Sequence, residues 1–231
     1  MKRVIDPKML YFGTPVVLIS SLNEDGSTNL APMSSAWWVG RTGMLGLSAN
    51  SQTVRNLAER PACVLNLVGA AMVDAVDRLA LLTGRRDVPE YKAARGYTHA
   101  SDKFAAAQLT PAVVTADGPL AVAESAIYMQ AEIRAIHLID AETSGLRALE
   151  ARVLSTHVEQ DMLLPGDRDH FDALAWDPLI MKFTEYFAGG GNVRPSSLAR
   201  GWGMPSLAGS PRATVSAGLD DGEAAALETV G

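Results

Sequence analysis

Two short stretches concentrate the residue types that could do chemistry. The first, Ala31-Pro32-Met33-Ser34-Ser35, is a corner of small residues that exposes backbone N–H groups and two hydroxyls. A flat polar ring that gains negative charge on reduction needs such donors along its edge. The second, Ser48-Ala49-Asn50-Ser51-Gln52-Thr53, leads into a helical pattern. A helix N-terminus carries unpaired N–H groups and a partial positive charge, which suits a phosphate. Ser48, Asn50, Ser51 and Thr53 add side-chain donors there, and Arg55 adds charge. Trp37 and Trp38 are candidates for an apolar wall against the ring. They are adjacent on a strand pattern and point to opposite faces, so at most one lines a pocket directly. Each feature has a plainer reading. Asn50-Ser51 caps a helix without any ligand, Ser34-Ser35 forms a bulge, and paired tryptophans serve a core or a subunit interface.

The elements that must position these residues follow from pattern and punctuation. Leu10 to Ser21 reads as a strand, apolar on both faces at Val16-Val17-Leu18-Ile19 and therefore central. Asn23-Glu24-Asp25-Gly26 signals a hairpin turn, and Ser27 to Met33 runs back from it. Trp37 to Ser48 holds a third strand, with a break at Arg41-Thr42-Gly43. Thr53 to Glu59 is a short helix closed by Pro61, and Ala62 to Val68 is a strand. Ala70 to Leu82 has apolar residues at helical spacing. Residues 83–119 are loop-rich, with helical turns at Pro89 to Ala94 and Lys103 to Ala107. Ala121 to Ile139 is a long strand paired with Leu146 to Val158 across a turn at Asp140 to Gly145. Trp176 to Phe187 reads as helical or half-helical. After Pro205 the chain turns small and polar and reads as a flexible tail. Short strands around turn signals, with few helices, predict a mainly β, α+β protein built on an antiparallel barrel.

Composition narrows the functions. The chain has 231 residues, 48% hydrophobic and 20% charged, enough for one sizeable core. Its net charge of -6 argues against a nucleic-acid surface. An anionic ligand then needs a local positive pocket, for which Arg41, Arg55 and Lys103 are candidates. The lone cysteine, Cys63, lies in an apolar run and excludes an intrachain disulfide and a cysteine zinc cluster. Asp6-Pro7-Lys8 interrupts any signal-peptide core, and no apolar run reaches the length of a membrane span. A cytoplasmic protein without membrane contact is expected. The histidines, His99, His137, His157 and His170, are scattered, so no metal site is expected. No Gly-x-Gly-x-x-Gly is present to form a Rossmann module.

Three segments in order carry a resemblance. The first is Asp25-Gly26, then Asn29-Leu30-Ala31-Pro32-Met33-Ser34-Ser35, then Thr53 and Asn56. The second is Asp102-Lys103-Phe104 with Leu109-Thr110-Pro111 and Glu124-Ser125. The third runs from Trp176-Asp177-Pro178-Leu179-Ile180-Met181 through Tyr186-Phe187 to Ser197-Leu198-Ala199. Together they resemble the flavin reductase-like family, in its long C-terminal variant, over most of residues 10–205. The resemblance implies an FMN-binding split barrel of antiparallel Greek-key strands over residues 1–205, with a C-terminal helical extension and a tail at 206–231. It implies a homodimer with the flavin at the subunit interface. FMN is the expected cofactor, with FAD as the alternative, and NAD(P)H the expected electron donor. A monooxygenase that receives reduced flavin is the expected partner. The cofactor-binding residues so implied are Ala31, Pro32, Met33, Ser34, Ser35, Trp37, Ser48, Ala49, Asn50, Ser51, Thr53, Asn56, Lys103 and Phe104. Candidate catalytic groups are His157, Ser35 and His99. The Gly-Asp-His found in many family members after the long strand is replaced here by Ile139-Asp140-Ala141-Glu142-Thr143-Ser144-Gly145. That departure keeps two alternatives open: an FMN enzyme acting on a small organic substrate, and a non-enzymatic flavin-binding partner protein.

Overall fold

The computed structural model describes residues 2–7, 10–139, 145–194, 196 and 204. They divide into two compact units, the described residues of 1–158 with 178–188, and the described residues of 159–177 with 189–204. In the first unit the elements run β1 (Phe12–Pro15), β2 (Val17–Leu22), β3 (Thr28–Met33), β4 (Ala36–Val39), β5 (Thr42–Ser48), α1 (Gln52–Glu59) and β6 (Ala62–Leu67). They continue through α2 (Val73–Ala80), β7 (Leu82–Thr83), α3 (Glu90–Ala93), β8 (Thr98–His99), α4 (Lys103–Ala107), β9 (Pro111–Ala112) and β10 (Ala121–Val122). The long strands β11 (Ile127–Ile139) and β12 (Leu146–Val158) follow, and β13 (Ile180–Lys182) and β14 (Glu185–Phe187) complete the unit.

Seven strands form one antiparallel sheet in the order β3-β2-β6-β11-β12-β5-β4. Its two edges, β3 and β4, are consecutive in sequence and joined only by Ser34 and Ser35. Three Cα steps reach at most about 11 Å. In a flat sheet, six strand spacings would set those edges about 29 Å apart. The sheet must therefore roll into a barrel with its seam at β3 and β4, and the two serines sit at that seam.

The apolar pattern of β2 explains its central place. Val17 and Ile19 join Leu45, Leu57, Leu65 and Leu149 in one core. Val16 and Leu18 face the other way and join Leu30, Val76, Leu79 and Phe104 in a second core. Asn66, paired with Leu18 and on the same face, is fully buried. Its amide donates to Leu18 O at 2.8 Å and Ser20 Oγ at 3.1 Å, and its carbonyl accepts from Val122 N at 2.8 Å. The third expected strand is a two-residue hairpin, β4 and β5, turning at Gly40 (φ +56°) and Arg41. The long expected strand 121–139 is interrupted at 123–126, and its remainder pairs with β12 in the expected register direction. The α2 helix begins only after a 3₁₀ turn at Ala70–Met72.

The helical expectation over Trp176 to Phe187 is incorrect. β13 and β14 form a hairpin that extends β1, with Phe183 (φ +48°) and Thr184 (φ +77°) at its tip. Both turn residues have positive φ, the twist that two-residue hairpins prefer. Neither is Gly or Asn, so the usual turn signal was missing from the sequence. The Phe183 N–H bond to Tyr11 O (2.8 Å) and the Phe12–Phe183 edge contact hold the tip in place. In the second unit the only helical segment among the described residues is a 3₁₀ turn at Gln160–Met162, so the expected helical extension is not seen there. That unit contains a bridge between Leu163 and Phe171 and an Asp167–His170 contact at 2.9 Å. The turn at Asp140 to Ser144, Ser197-Leu198-Ala199 and the tail 206–231 lie outside the described residues.

Candidate functional site

β3, the first turn of α1, the α3 region and Lys103 enclose a groove of about 390 Å³. Asn29 and Met33 bracket β3, about 13 Å apart at the usual strand rise, and both line the groove. Near Met33 the wall is apolar, with Ala31, Pro32 and Leu47. Near Asn29 it is polar. Asn29 donates from Nδ2 to Thr53 Oγ1 at 3.2 Å. Thr53 therefore accepts from Asn29 and keeps its own hydroxyl proton for another acceptor. The Oδ1 of Asn29 is buried with no hydrogen-bond partner.

The helix end is built by the local sequence. Ser51 is the N-cap of α1, and its hydroxyl accepts from Val54 N at 3.1 Å. The first-turn amides of Gln52 and Thr53 have no partner within the helix. Gln52 is steered by Asn56, whose Oδ1 accepts from Gln52 Nε2 at 2.8 Å.

Three cations share this groove: Lys92, Arg95 and Lys103. Lys92 lies 5.4 Å from the Tyr97 ring centroid and Arg95 5.9 Å from that of Tyr91. Lys103 is only 4% exposed. Among the described residues no hydrogen bond or ion pair reaches its ammonium. Burial, reinforced by the nearby charge of Lys92, pulls its pKa down from 10.5 to about 8. It arrives there through α4, which Asp102 caps by accepting from Ala105 N at 2.9 Å. A buried cation without a counter-charge is costly. Lys92 is half-buried and Arg95 exposed, so in a chain of net charge -6 one groove gathers three cations, an arrangement suited to an anion.

The structure sorts the sequence-derived residues. Ala31, Pro32, Met33, Ser48, Ser51, Thr53 and Lys103 line the groove. Asn56 does not. It is fully buried, and its amide donates to Ser21 Oγ at 3.1 Å and Asn23 Oδ1 at 2.9 Å. Phe104 points into the second core. Ala49 donates its N–H to Gly145 O at 2.9 Å, and Asn50 is exposed on the turn before α1. Ser34 is buried at the seam. Ser35 donates to the Tyr11 hydroxyl at 3.3 Å, and its carbonyl accepts from Gly46 N at 2.7 Å. Trp37 is 57% exposed, whereas Trp38 packs on the first core. Of the expected cations, Arg41 is spent on Leu154 O at 2.8 Å and Arg55 does not line the groove, which leaves Lys103. His157 stacks on Tyr128 with centroids 4.7 Å apart and contacts Ser155 Oγ at 3.0 Å, so it ties β11 to β12 away from the groove. His99 sits at a neighbouring cavity, with Nδ1 3.3 Å from Thr83 O.

Lys92, Arg95, Thr83 and Gly84 line the groove without having been singled out in the sequence. Their loop-rich segment has no strong pattern, and the parallel pairing of β7 with β8 that folds it over the barrel joins only Leu82 with Thr98 and Thr83 with His99. Among the described residues no group of three or more His, Cys, Asp or Glu is placed to hold a metal ion. No helix among them is long and apolar enough to cross a membrane.

A split antiparallel barrel with a cation-lined groove against its seam strand defines the class. Residues 9–189 match the model of the flavin reductase like domain, and the chain belongs to that family. It is 35% identical over 191 residues to the uncharacterized protein YdfE of Bacillus subtilis (strain 168), covering 83% of this chain and 91% of that one. Its fold is similar to flavoredoxin of Desulfovibrio vulgaris (Miyazaki F), with a TM-score of 0.67 at 21% identity over 87% of this chain and all of that one. Nitrilotriacetate monooxygenase component B from Bacillus cereus also has a TM-score of 0.67, at 18% identity over 84% and 99% of the two chains.

The groove's chemistry fits the flavin that the family implies. The orphaned acceptor of Asn29, the free proton of Thr53 and the unpartnered Lys103 are the groups a flavin mononucleotide would satisfy.

Proposed function

We propose that the chain is an NAD(P)H-dependent flavin reductase that holds FMN in this groove. The observation that carries the reading is the buried Lys103, left without a counter-charge beside Lys92 and Arg95. Lys103, the Thr53 hydroxyl and the α1 amides bind the phosphate. Asn29 orients Thr53 and accepts from a ribityl hydroxyl through Oδ1. Ala31, Met33 and Leu47 exclude water from the ring, and the backbone at Met33 to Ser35 supplies donors along its edge. The bound flavin supplies the two-electron redox chemistry.

The chain works as a homodimer with the groove completed at the subunit seam. Exposed apolar side chains on β4 and β12, namely Trp37, Val39 (70% exposed) and Leu154 (53%), are the surface that a second copy would cover. Delivery of reduced flavin to a monooxygenase is the role we extend to this chain, in line with the component-type name of one similar structure. FMN titration by fluorescence quenching, followed by anaerobic mixing with NADH or NADPH, tests the reading. Tight binding with rapid bleaching supports it. Binding without bleaching would favour the enzyme acting on a small organic substrate or the flavin-binding partner protein, and no binding would remove all three.

A further inference from the structure

Residues 84–97 run from the end of β7 to the start of β8, and the parallel pairing that anchors them is two residues long on each strand. Between those anchors the segment bonds to itself. Lys92 N donates to Pro89 O at 2.8 Å, Tyr97 N donates to Lys92 O at 3.1 Å, and Arg85 Nη2 donates to Asp87 Oδ2 at 3.0 Å. The contacts of Lys92 with the Tyr97 ring and of Arg95 with the Tyr91 ring are internal too. Among the described residues no hydrogen bond or ion pair joins residues 86–97 to the rest of the chain, and none of them is buried. Gly96, at φ +83°, makes the turn that returns the chain to β8. A segment held this lightly moves at little cost in free energy.

The same segment supplies two of the groove's three cations, Lys92 and Arg95, and both of its tyrosines. It carries four cations, Arg85, Arg86, Lys92 and Arg95, against the two carboxylates Asp87 and Glu90, in a chain that is acidic as a whole. The third cation, Lys103, is fixed from the other side by α4 and is 4% exposed. After burial, the charge of Lys92 is what lowers the Lys103 pKa, so the two ammonium groups feel each other. Like charges facing one groove resist a closer approach of the segment. An anion between them reverses that sign, and a phosphate has oxygens enough to accept from both. A ligand moves such an equilibrium only through contacts made in one state and not in the other. The bond to the second lysine is that contact.

We propose that residues 84–97 form a strap that closes over the groove when a phosphate bridges Lys92 and Lys103, which makes Lys92 a residue that selects a phosphorylated flavin over riboflavin. This deepens the reading of the groove as an FMN site and rests on it, but the two can fail separately.

Hydrogen–deuterium exchange of the flavin-free full chain reads the strap directly, with FMN, riboflavin and inorganic phosphate as probes. FMN is expected to slow exchange at the amides of residues 92–97 about tenfold, and riboflavin at concentrations that fill the groove to leave them unchanged. Lys92→Met keeps the aliphatic stem at a half-buried position and removes the charge. It should leave FMN bound through Lys103 and Thr53, erase the protection, raise the FMN dissociation rate about tenfold and leave riboflavin affinity unchanged. Lys92→Arg should restore both the protection and the slow dissociation. FMN binding with the strap exchanging as fast as without it, equal protection by FMN and riboflavin, or full protection in Lys92→Met overturns the proposal and spares the flavin reading. Protection by inorganic phosphate without FMN binding keeps the strap and removes the flavin reading. No FMN binding and no protection by either anion removes both.

Discussion

Replacing Lys103 with Met should stabilise the flavin-free protein and weaken its cofactor binding at the same time. Burial holds this lysine's pKa near 8 against the ordinary 10.5. That difference corresponds to about 3 kcal/mol of penalty for keeping the charge at neutral pH. Met preserves most of the buried aliphatic volume and removes the charge. For a chain of this size the gain equals a rise of about 6–12 °C in Tm. The sign of the pH dependence follows from proton counting. Between about 8 and 10.5 the unfolded chain holds a proton at Lys103 that the native chain has released, so wild-type stability rises with pH in that window. Below about 8 both states are protonated and the penalty is fully present. The difference in Tm between mutant and wild type should therefore be largest below pH 8 and shrink as the pH approaches 10.5. A phosphate bonded by the lysine recovers a charge-assisted hydrogen bond, so FMN affinity should fall roughly ten- to hundredfold in the mutant. Differential scanning calorimetry of the flavin-free proteins across pH, with flavin fluorescence quenching at pH 7, measures both. A mutant that melts lower at every pH and binds FMN as well as the wild type would refute the assignment of Lys103 as an unpaired anion receptor.

Other outcomes follow from the same contacts. Thr53→Ala should weaken FMN binding about tenfold and also lower Tm, because Asn29 Nδ2 loses its acceptor at 3.2 Å in a buried site. Asn56→Ala should instead cost about 1–3 kcal/mol in a denaturant titration, because Ser21, Asn23 and Gln52 all lose a partner in a fully buried site. Gly84→Ala should lower flavin affinity by displacing Asn29 and Gln52, whose atoms would lie 2.6 and 3.1 Å from the new Cβ; quenching titrations against the wild type read this. Trp37→Asp should abolish the proposed dimer and leave a monomer in analytical ultracentrifugation, since it puts a charge on an apolar surface that is 57% exposed in the single chain.

The positions of the chemistry along the chain were legible because local rules place them. Ser51 had to cap a helix, Asp25-Gly26 had to turn a hairpin, and Val16 to Ile19 could only be buried on both faces. These are nearest-neighbour and period-2 effects, so a single sequence carries them. The hairpin at Phe183-Thr184 was not legible. Its positive φ angles are imposed by pairing with β1, more than 160 residues earlier, not by residue type. Asn56 and Phe104 show the same limit at the site. Both lie within segments whose neighbours line the groove, yet helix phase turns one into the strand layer and the other into the second core.

Residue types alone determined a β-rich chain with an acidic balance, a capped helix end and a serine-bearing corner. Tertiary structure decided that Lys103 is buried to 4% exposure without a counter-charge, and that Lys92 and Arg95 face the same groove. It also decided that the corner closes a seam between two strands that are neighbours in sequence and opposite edges of one sheet. The physical reason is range. Capping, turning and strand alternation are settled within a few residues, whereas desolvation and the meeting of like charges depend on which distant segments pack against one another.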